Sequence, residues 1–131
     1  MYEAETSGVR IRVEPAYLDH ESTPTENRYV WAYTIDIENH RTGAVRLVHR
    51  HWRITDANGF TQEVQGPGVV GEQPVIEPNS AYSYTSACPL GSASGMMVGA
   101  YDMIDLENGS RFQVDIPAFA LDSPYSRRLA N

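Results

Sequence analysis

Tyr29-Val30-Trp31-Ala32-Tyr33-Thr34-Ile35-Asp36-Ile37-Glu38 places large apolar side chains at its odd positions and mostly small or polar ones at its even positions. A period of two belongs to a strand with one face on a core, so Tyr29, Trp31, Tyr33, Ile35 and Ile37 are expected inside. Val9, Ile11 and Val13 alternate with Arg10, Arg12 and Glu14 in the same way. Asn39-His40-Arg41-Thr42-Gly43 ends the strand, and Ala44 to Thr55 reads as the next one. Asp56-Ala57-Asn58-Gly59 is a hairpin signal, because Asn-Gly suits the positive φ angles of a type I′ turn. A second such turn, Glu107-Asn108-Gly109, is expected to join Met97–Asp105 to Arg111–Ile116.

Ala81-Tyr82-Ser83-Tyr84-Thr85-Ser86 alternates again, and no segment sustains a 3.6-residue period with caps. Seven or more short strands in one chain of 131 residues predict an all-β fold. The expected architecture is an antiparallel β-sandwich, immunoglobulin-like or fibronectin type III-like, without the usual disulfide. One domain over residues 1–122 is expected, followed by a polar tail over 123–131 that carries Arg127-Arg128.

Composition excludes several functions. The net charge of −7 argues against general nucleic-acid binding, which needs a basic footprint. All ten cations are arginine, so no lysine is present for a Schiff base or a phosphate loop. No apolar run is long enough to cross a bilayer, and the acidic Met1-Tyr2-Glu3-Ala4-Glu5 does not read as a secretory signal. Cys88, the single cysteine, reads as a small buried hydrophobe in a reducing compartment, so the expected location is the cytoplasm.

Gly66-Pro67-Gly68-Val69-Val70-Gly71-Glu72-Gln73-Pro74 holds a literal G-x-G-x-x-G. In a dinucleotide fold those glycines precede a helix whose N-terminus binds pyrophosphate. Here Pro74, Pro78 and the extended-favouring Val75-Ile76 forbid the helix. Three readings remain open for the loop: a sharp sandwich turn, a protein-binding surface formed by Gly66, Gly68, Gly71, Glu72 and Gln73, or an anion nest of backbone N–H groups. Glu72 and the missing lysine weigh against phosphate.

His49 and His51 share one strand face, opposite Val48, Trp52 and Ile54, which are expected to point inward. Two imidazoles with a carboxylate could ligate a divalent cation, although a surface or cross-strand role suits the solvated face better. Asp102, Asp105 and Glu107 are expected to be solubilising charge on the last hairpin. Met96, Met97 and Met103 are expected in the core. No Ser-His-Asp or nucleophile-elbow pattern occurs, which argues against a hydrolase.

Arg50-His51-Trp52-Arg53-Ile54-Thr55-Asp56, the Gly66–Pro74 segment, Tyr84-Thr85-Ser86-Ala87-Cys88-Pro89-Leu90, Ser94-Gly95-Met96 and Phe112-Gln113-Val114-Asp115-Ile116-Pro117 follow one another in an order that resembles the ApaG family. The resemblance runs from about Val9 to Phe119. It implies a fibronectin type III-like sandwich and a small bacterial protein linked by phenotype to cobalt resistance and magnesium efflux, without established catalysis. Similar domains appended to eukaryotic F-box adaptors and to a DNA polymerase-interacting protein imply a protein-binding role. The expectation is therefore a non-enzymatic module, monomeric or weakly dimeric, that needs no cofactor and recognises a protein. The alternative is a sensor of a divalent cation through His49 and His51, or of a nucleotide or pyrophosphate through Gly66–Gly71.

Overall fold

The computed structural model describes residues 1–126. Nine strands are present: β1 (Tyr2–Thr6), β2 (Val9–Tyr17), β3 (Tyr29–Asn39), β4 (Val45–Asp56), β5 (Thr61–Pro67), β6 (Val75–Ile76), β7 (Ala81–Leu90), β8 (Ser94–Asp105) and β9 (Arg111–Asp122). Two 3-10 turns, Asp19–Glu21 and Pro24–Glu26, lie in the β2–β3 connection. The strands form two antiparallel sheets, one ordered β1-β2-β3-β7 and the other β5-β4-β8-β9, with β6 also paired to β4. This is the expected sandwich. Among the described residues, no helix is long and apolar enough to cross a membrane.

The alternation sets the core. Val9, Ile11, Val13, Ile35 and Ile37 are fully buried, and Trp31 and Tyr33 nearly so, while Tyr29 is half-buried. Tyr33 from the first sheet meets Trp52 and Phe119 from the second, with ring centroids 5.5 to 5.9 Å apart in tilted and edge-on arrangements. Such geometries favour aromatic quadrupoles and add about 1 kcal/mol per pair beyond area burial. Trp31 donates its indole N–H to the Asp122 carbonyl at 2.9 Å, which ties β3 to the end of β9.

Three expectations change, and one hairpin is new. β4 carries a bulge between Leu47 and His49, so Leu47 rather than Val48 faces inward, and the phase then shifts to Trp52 and Ile54. Asn58-Gly59 does not form a type I′ turn: only Gly59 has positive φ, and Gly59 N–H bonds the Asp56 carbonyl while Asp56 N–H bonds the Phe60 carbonyl. This is a three-residue loop closed by glycine in the left-handed region. Asn108 likewise lacks positive φ, and Gly109 closes a four-residue loop through a bond to the Asp105 carbonyl. The two-residue type I′ geometry occurs instead at Ser7-Gly8, which joins the unanticipated β1 to β2.

Two side-chain placements also differ. Met97 and Met103 are buried, but Met96 is half-exposed on the opposite face. Asp105 is only 4% exposed and accepts bonds from Arg41 at 2.8 and 3.2 Å, so it is a buried partner and not a solubilising charge. Of the expected tail, Ser123 bonds the Ala93 carbonyl at 2.6 Å and Tyr125 packs on Tyr17 and Tyr29. Residues 127–131, including Arg127 and Arg128, lie outside the described residues.

Candidate functional site

The sandwich is closed along one side and open along the other. β1 and β2 pack against β9, sealing that flank. The remaining edges, β7 of the first sheet and β5 of the second, do not close on each other, and a groove runs between them. Its lower end is formed by Phe60, Pro89 and Leu90, and its middle by Ile54, Val64, Cys88 and Met97. At its upper end lie Val69, Val70, Gly71 and Tyr84. The middle hollow has a volume of about 370 Å³ and the upper one about 190 Å³. Tyr33, Arg50, Trp52 and Ser86 line both.

Local sequence explains each wall. Arg50 shares the face of Trp52 and Ile54 by simple alternation, so a guanidinium stands where a hydrophobe is expected, and the β4 bulge brings Leu47 onto that face as well. Gly66 is its cross-strand neighbour on β5, and a Cβ there would lie 3.0 Å from Arg50 Nη1. The bare glycine lets the guanidinium lie flat against the strand. Arg50 Nη1 donates to the carbonyls of Pro67 at 3.1 Å and Gly68 at 3.0 Å. Among the described residues Arg50 forms no ion pair, whereas Arg10, Arg12 and Arg41 each hold a carboxylate.

The glycine loop forms the upper end of the groove. Val69 and Glu72 exchange N–H to carbonyl bonds at 2.8 and 2.9 Å around Val70 at φ 42° and Gly71 at φ 83°, a two-residue type I′ turn. Gly68 N–H is bonded to the Val48 carbonyl. Gly68 has φ 59°, and any side chain on it would overlap the Glu72 carbonyl. Thus the N–H groups of Gly68, Val69 and Glu72 are committed internally, while two loop carbonyls face a cation. Glu72 accepts a bond from the Tyr82 hydroxyl at 3.0 Å, linking the loop to β7, and Gln73 donates to the Val48 carbonyl at 2.9 Å. Gly66, Gly68, Gly71, Glu72 and Gln73 are therefore brought together at one end of the groove.

Burial raises the pKa of Tyr33, Tyr84 and Tyr101, with the charge of Arg50 acting in the opposite direction on each. The Tyr84 and Tyr101 hydroxyls bond one another. Burial also pushes the Cys88 thiol up to about 11. At neutral pH these groups are protonated, so the groove offers shape, hydroxyls and one fixed cation rather than a thiolate or phenolate nucleophile.

His49 and His51 lie on the outer face of the second sheet, with ring centroids 4.7 Å apart. His51 Nε2 is 2.9 Å from Asp102 Oδ2, and Gln113 donates to Asp102 Oδ1 at 3.3 Å. The bond to His51 holds the Asp102 carboxyl below its ordinary pKa. Among the described residues, no group of three or more His, Cys, Asp or Glu side chains is placed to hold a metal ion. The structure does not bring these histidines to the groove. Sequence reasoning named the loop but not Arg50, Tyr84 or Ser86 as site residues. The usable signals were an arginine in phase with Trp52 and Ile54, and the absence of any charge in Ala81–Leu90.

A family model described as the ApaG domain matches residues 19–105. A protein of Brucella anthropi named Protein ApaG is 56% identical over 131 residues, covering all of both chains. A protein of the same name from Brucella suis biovar 1 is 53% identical over the same span, again covering all of both. A crystal structure of a Bordetella pertussis protein described as ApaA is 38% identical with a TM-score of 0.86, covering 95% of this chain and 99% of that one.

Proposed function

The chain belongs to the ApaG domain family, and from that premise we propose that it is a non-enzymatic module that binds another protein through the β5–β7 groove and the Gly66–Gln73 loop. The observation that carries this reading is the convergence of the Arg50–Trp52, Gly66–Gly71 and Tyr84–Cys88 segments on one open groove. The rim adds exposed apolar surface: Phe60 is 75%, Val70 53% and Val64 36% exposed, all on the same side of the groove. Exposed apolar side chains spaced along one groove are available to an interaction partner. A rigid sandwich presenting loops and an open edge gives a partner a preorganised surface.

This reading places the protein in the cytoplasm as a monomer or weak dimer, with cobalt resistance and magnesium efflux as downstream phenotypes. The test is affinity capture from a native bacterial lysate with the wild-type protein, Val64→Asp and Glu72→Arg. A specific protein retained by the wild type and lost by both variants supports the module. An unchanged capture profile overturns it.

The sensor alternative has the close His49–His51 ring pair in its favour. Titration of the labelled protein with zinc or cobalt tests it, and spectra unchanged at His49 and His51 remove it. An ATP titration does the same for the loop.

A further inference from the structure

We infer that the groove receives an extended acidic peptide, added as a strand to the free edge of β7, with an Asp or Glu side chain on Arg50 and an apolar side chain two residues away in the middle hollow. The inference rests on the binding-module reading and specifies the chemistry of the partner.

β7 is the argument for an extended occupant. It is a ten-residue edge strand paired only to β3, and Ala81–Leu90 contains no charged residue. Edge strands are usually guarded by charge, bulges or short length, because free N–H and C=O groups template another strand. Within the strand the guard is Pro89, which lacks an N–H and would end the pairing at that end, while the Glu72 loop is tied to Tyr82 at the other. A strand added beside β7 extends the first sheet over the groove. Successive side chains of a strand alternate between faces, so every second one would enter the groove.

The hollows define what those side chains are. The upper hollow meets β7 at Tyr84 and Ser86, and the middle one at Ser86, Ala87 and Cys88. Their centres are about two residues apart along the strand, the repeat at which an added strand presents side chains to one face. The middle hollow is walled by Ile54, Val64, Met97 and Cys88 and suits an aliphatic or aromatic group. The upper hollow is the more polar of the two, and it shares with the middle one the guanidinium of Arg50. Its Nη1 hydrogens are engaged by two loop carbonyls, which leaves the Nε and Nη2 edge as a two-donor fork. That fork matches a carboxylate. A cation lacking an acidic partner, at an inward-facing position of a chain of net charge −7, makes the complementary group an anion.

The test is selection from a phage library of randomised eight-residue peptides held between fixed flanks, so that every carboxylate selected is a side chain. The expected result is enrichment of Asp or Glu at one position with an apolar residue two positions away. A synthetic peptide from that selection, its termini capped, should shift the amide resonances of Ala81–Cys88 and Gly66–Gly71. Replacing its acid by the amide should weaken binding about tenfold or more, the usual worth of a charge-assisted contact. Arg50→Lys, which keeps the charge but not the fork, should weaken the acidic peptide severalfold and leave the amide peptide unchanged.

No enrichment, an enriched motif without an acid, or equal affinity for acid and amide peptides overturns this inference. Enrichment only from a library with free C-termini would replace the side-chain carboxylate by a chain terminus. Self-association that blocks β7 and is lost in Ala87→Pro would make a second copy the occupant. If the peptides fail while the lysate capture persists and still requires Val64, the module stands and only its peptide chemistry falls. If both fail, the module reading falls with it.

Discussion

The guanidinium of Arg50 lies over the bare backbone of Gly66, its partner across the β4–β5 pair. A Cβ on Gly66 would stand 3.0 to 3.2 Å from Nη1, Nη2 and the guanidinium carbon. The glycine is thus a seat for the arginine, quite different from the approach of backbone to pyrophosphate that the G-x-G-x-x-G pattern suggests. Gly66→Val is expected to lift the guanidinium and break its bonds to the Pro67 and Gly68 carbonyls. The loss should be about 1–2 kcal/mol, the scale of one or two hydrogen bonds. Urea unfolding measures it, and an Arg50 Nε resonance that does not move would refute the seat.

Gly68 is constrained more severely. Its φ of 59° and the overlap of any Cβ with the Glu72 carbonyl act together. Gly68→Ala should cost about 2–4 kcal/mol, because backbone strain and a steric clash both oppose it. A midpoint shift of only a few tenths of a kcal/mol in chemical denaturation would contradict this geometry.

Asp105 sets part of the acid limb of stability. The bonds from Arg41 hold its carboxyl below the usual range, helped by the N–H groups of Glu107 and Asn108. A folded pKa below the unfolded one stabilises the protein fully above the unfolded value of about 4, and that contribution is lost as pH falls through the folded value. Asp105→Asn should therefore lower stability at pH 7 and flatten the decline on acidification. Urea midpoints from pH 7 to pH 3 measure this, and parallel curves for the two proteins would exclude it.

Alternation made the sheets legible, because Val9–Val13 and Trp31–Ile37 keep a period of two, although Val30 is buried as well. It did not reveal β1, where Tyr2, Ala4 and Thr6 offer little apolar surface around Glu3 and Glu5. In the fold the two glutamates face Arg12 and Arg10 across the hairpin, and Arg12 holds Glu3 at 2.8 Å. Nor could it locate the bulge, since Leu47 and Val48 are both apolar and either could face inward. Arg50, two residues before Trp52, is in phase with it whatever the bulge does, but alternation alone does not say what a cation at that position is for. The loop residues were legible as a unit, but the groove was not. It depends on which strands are edges, and that follows from pairings such as Trp31 with Cys88 and Trp52 with Val64. Such long-range pairings leave no local mark.

Cys88 should be slow to react. Its thiol is pushed up to about 11 by burial, and only 3% of the residue is exposed. At pH 8 the lower thiolate fraction alone makes alkylation about two orders of magnitude slower than for an ordinary thiol. Iodoacetamide labelling of native and urea-unfolded protein gives the ratio. Equal rates would show that the groove wall opens readily.

Val70 brings stability and binding into opposition. It is β-branched, has φ 42° in the first position of the type I′ turn, and is 53% exposed at the groove rim. Asn and Gly tolerate that conformation far better, so Val70→Asn should stabilise the protein by about 1 kcal/mol. An exposed strained residue with no packing role in the core has a use at the rim if a bound peptide covers it. The same substitution should therefore weaken an acidic groove peptide severalfold while raising the urea midpoint. Gly71→Ala, by contrast, places a Cβ in open space at φ 83° and should lower the midpoint without removing any apolar contact to the peptide. If Val70→Asn raises stability and leaves peptide affinity intact, Val70 does not contact the peptide. If it does not raise the urea midpoint, the strain at φ 42° is not a measurable cost.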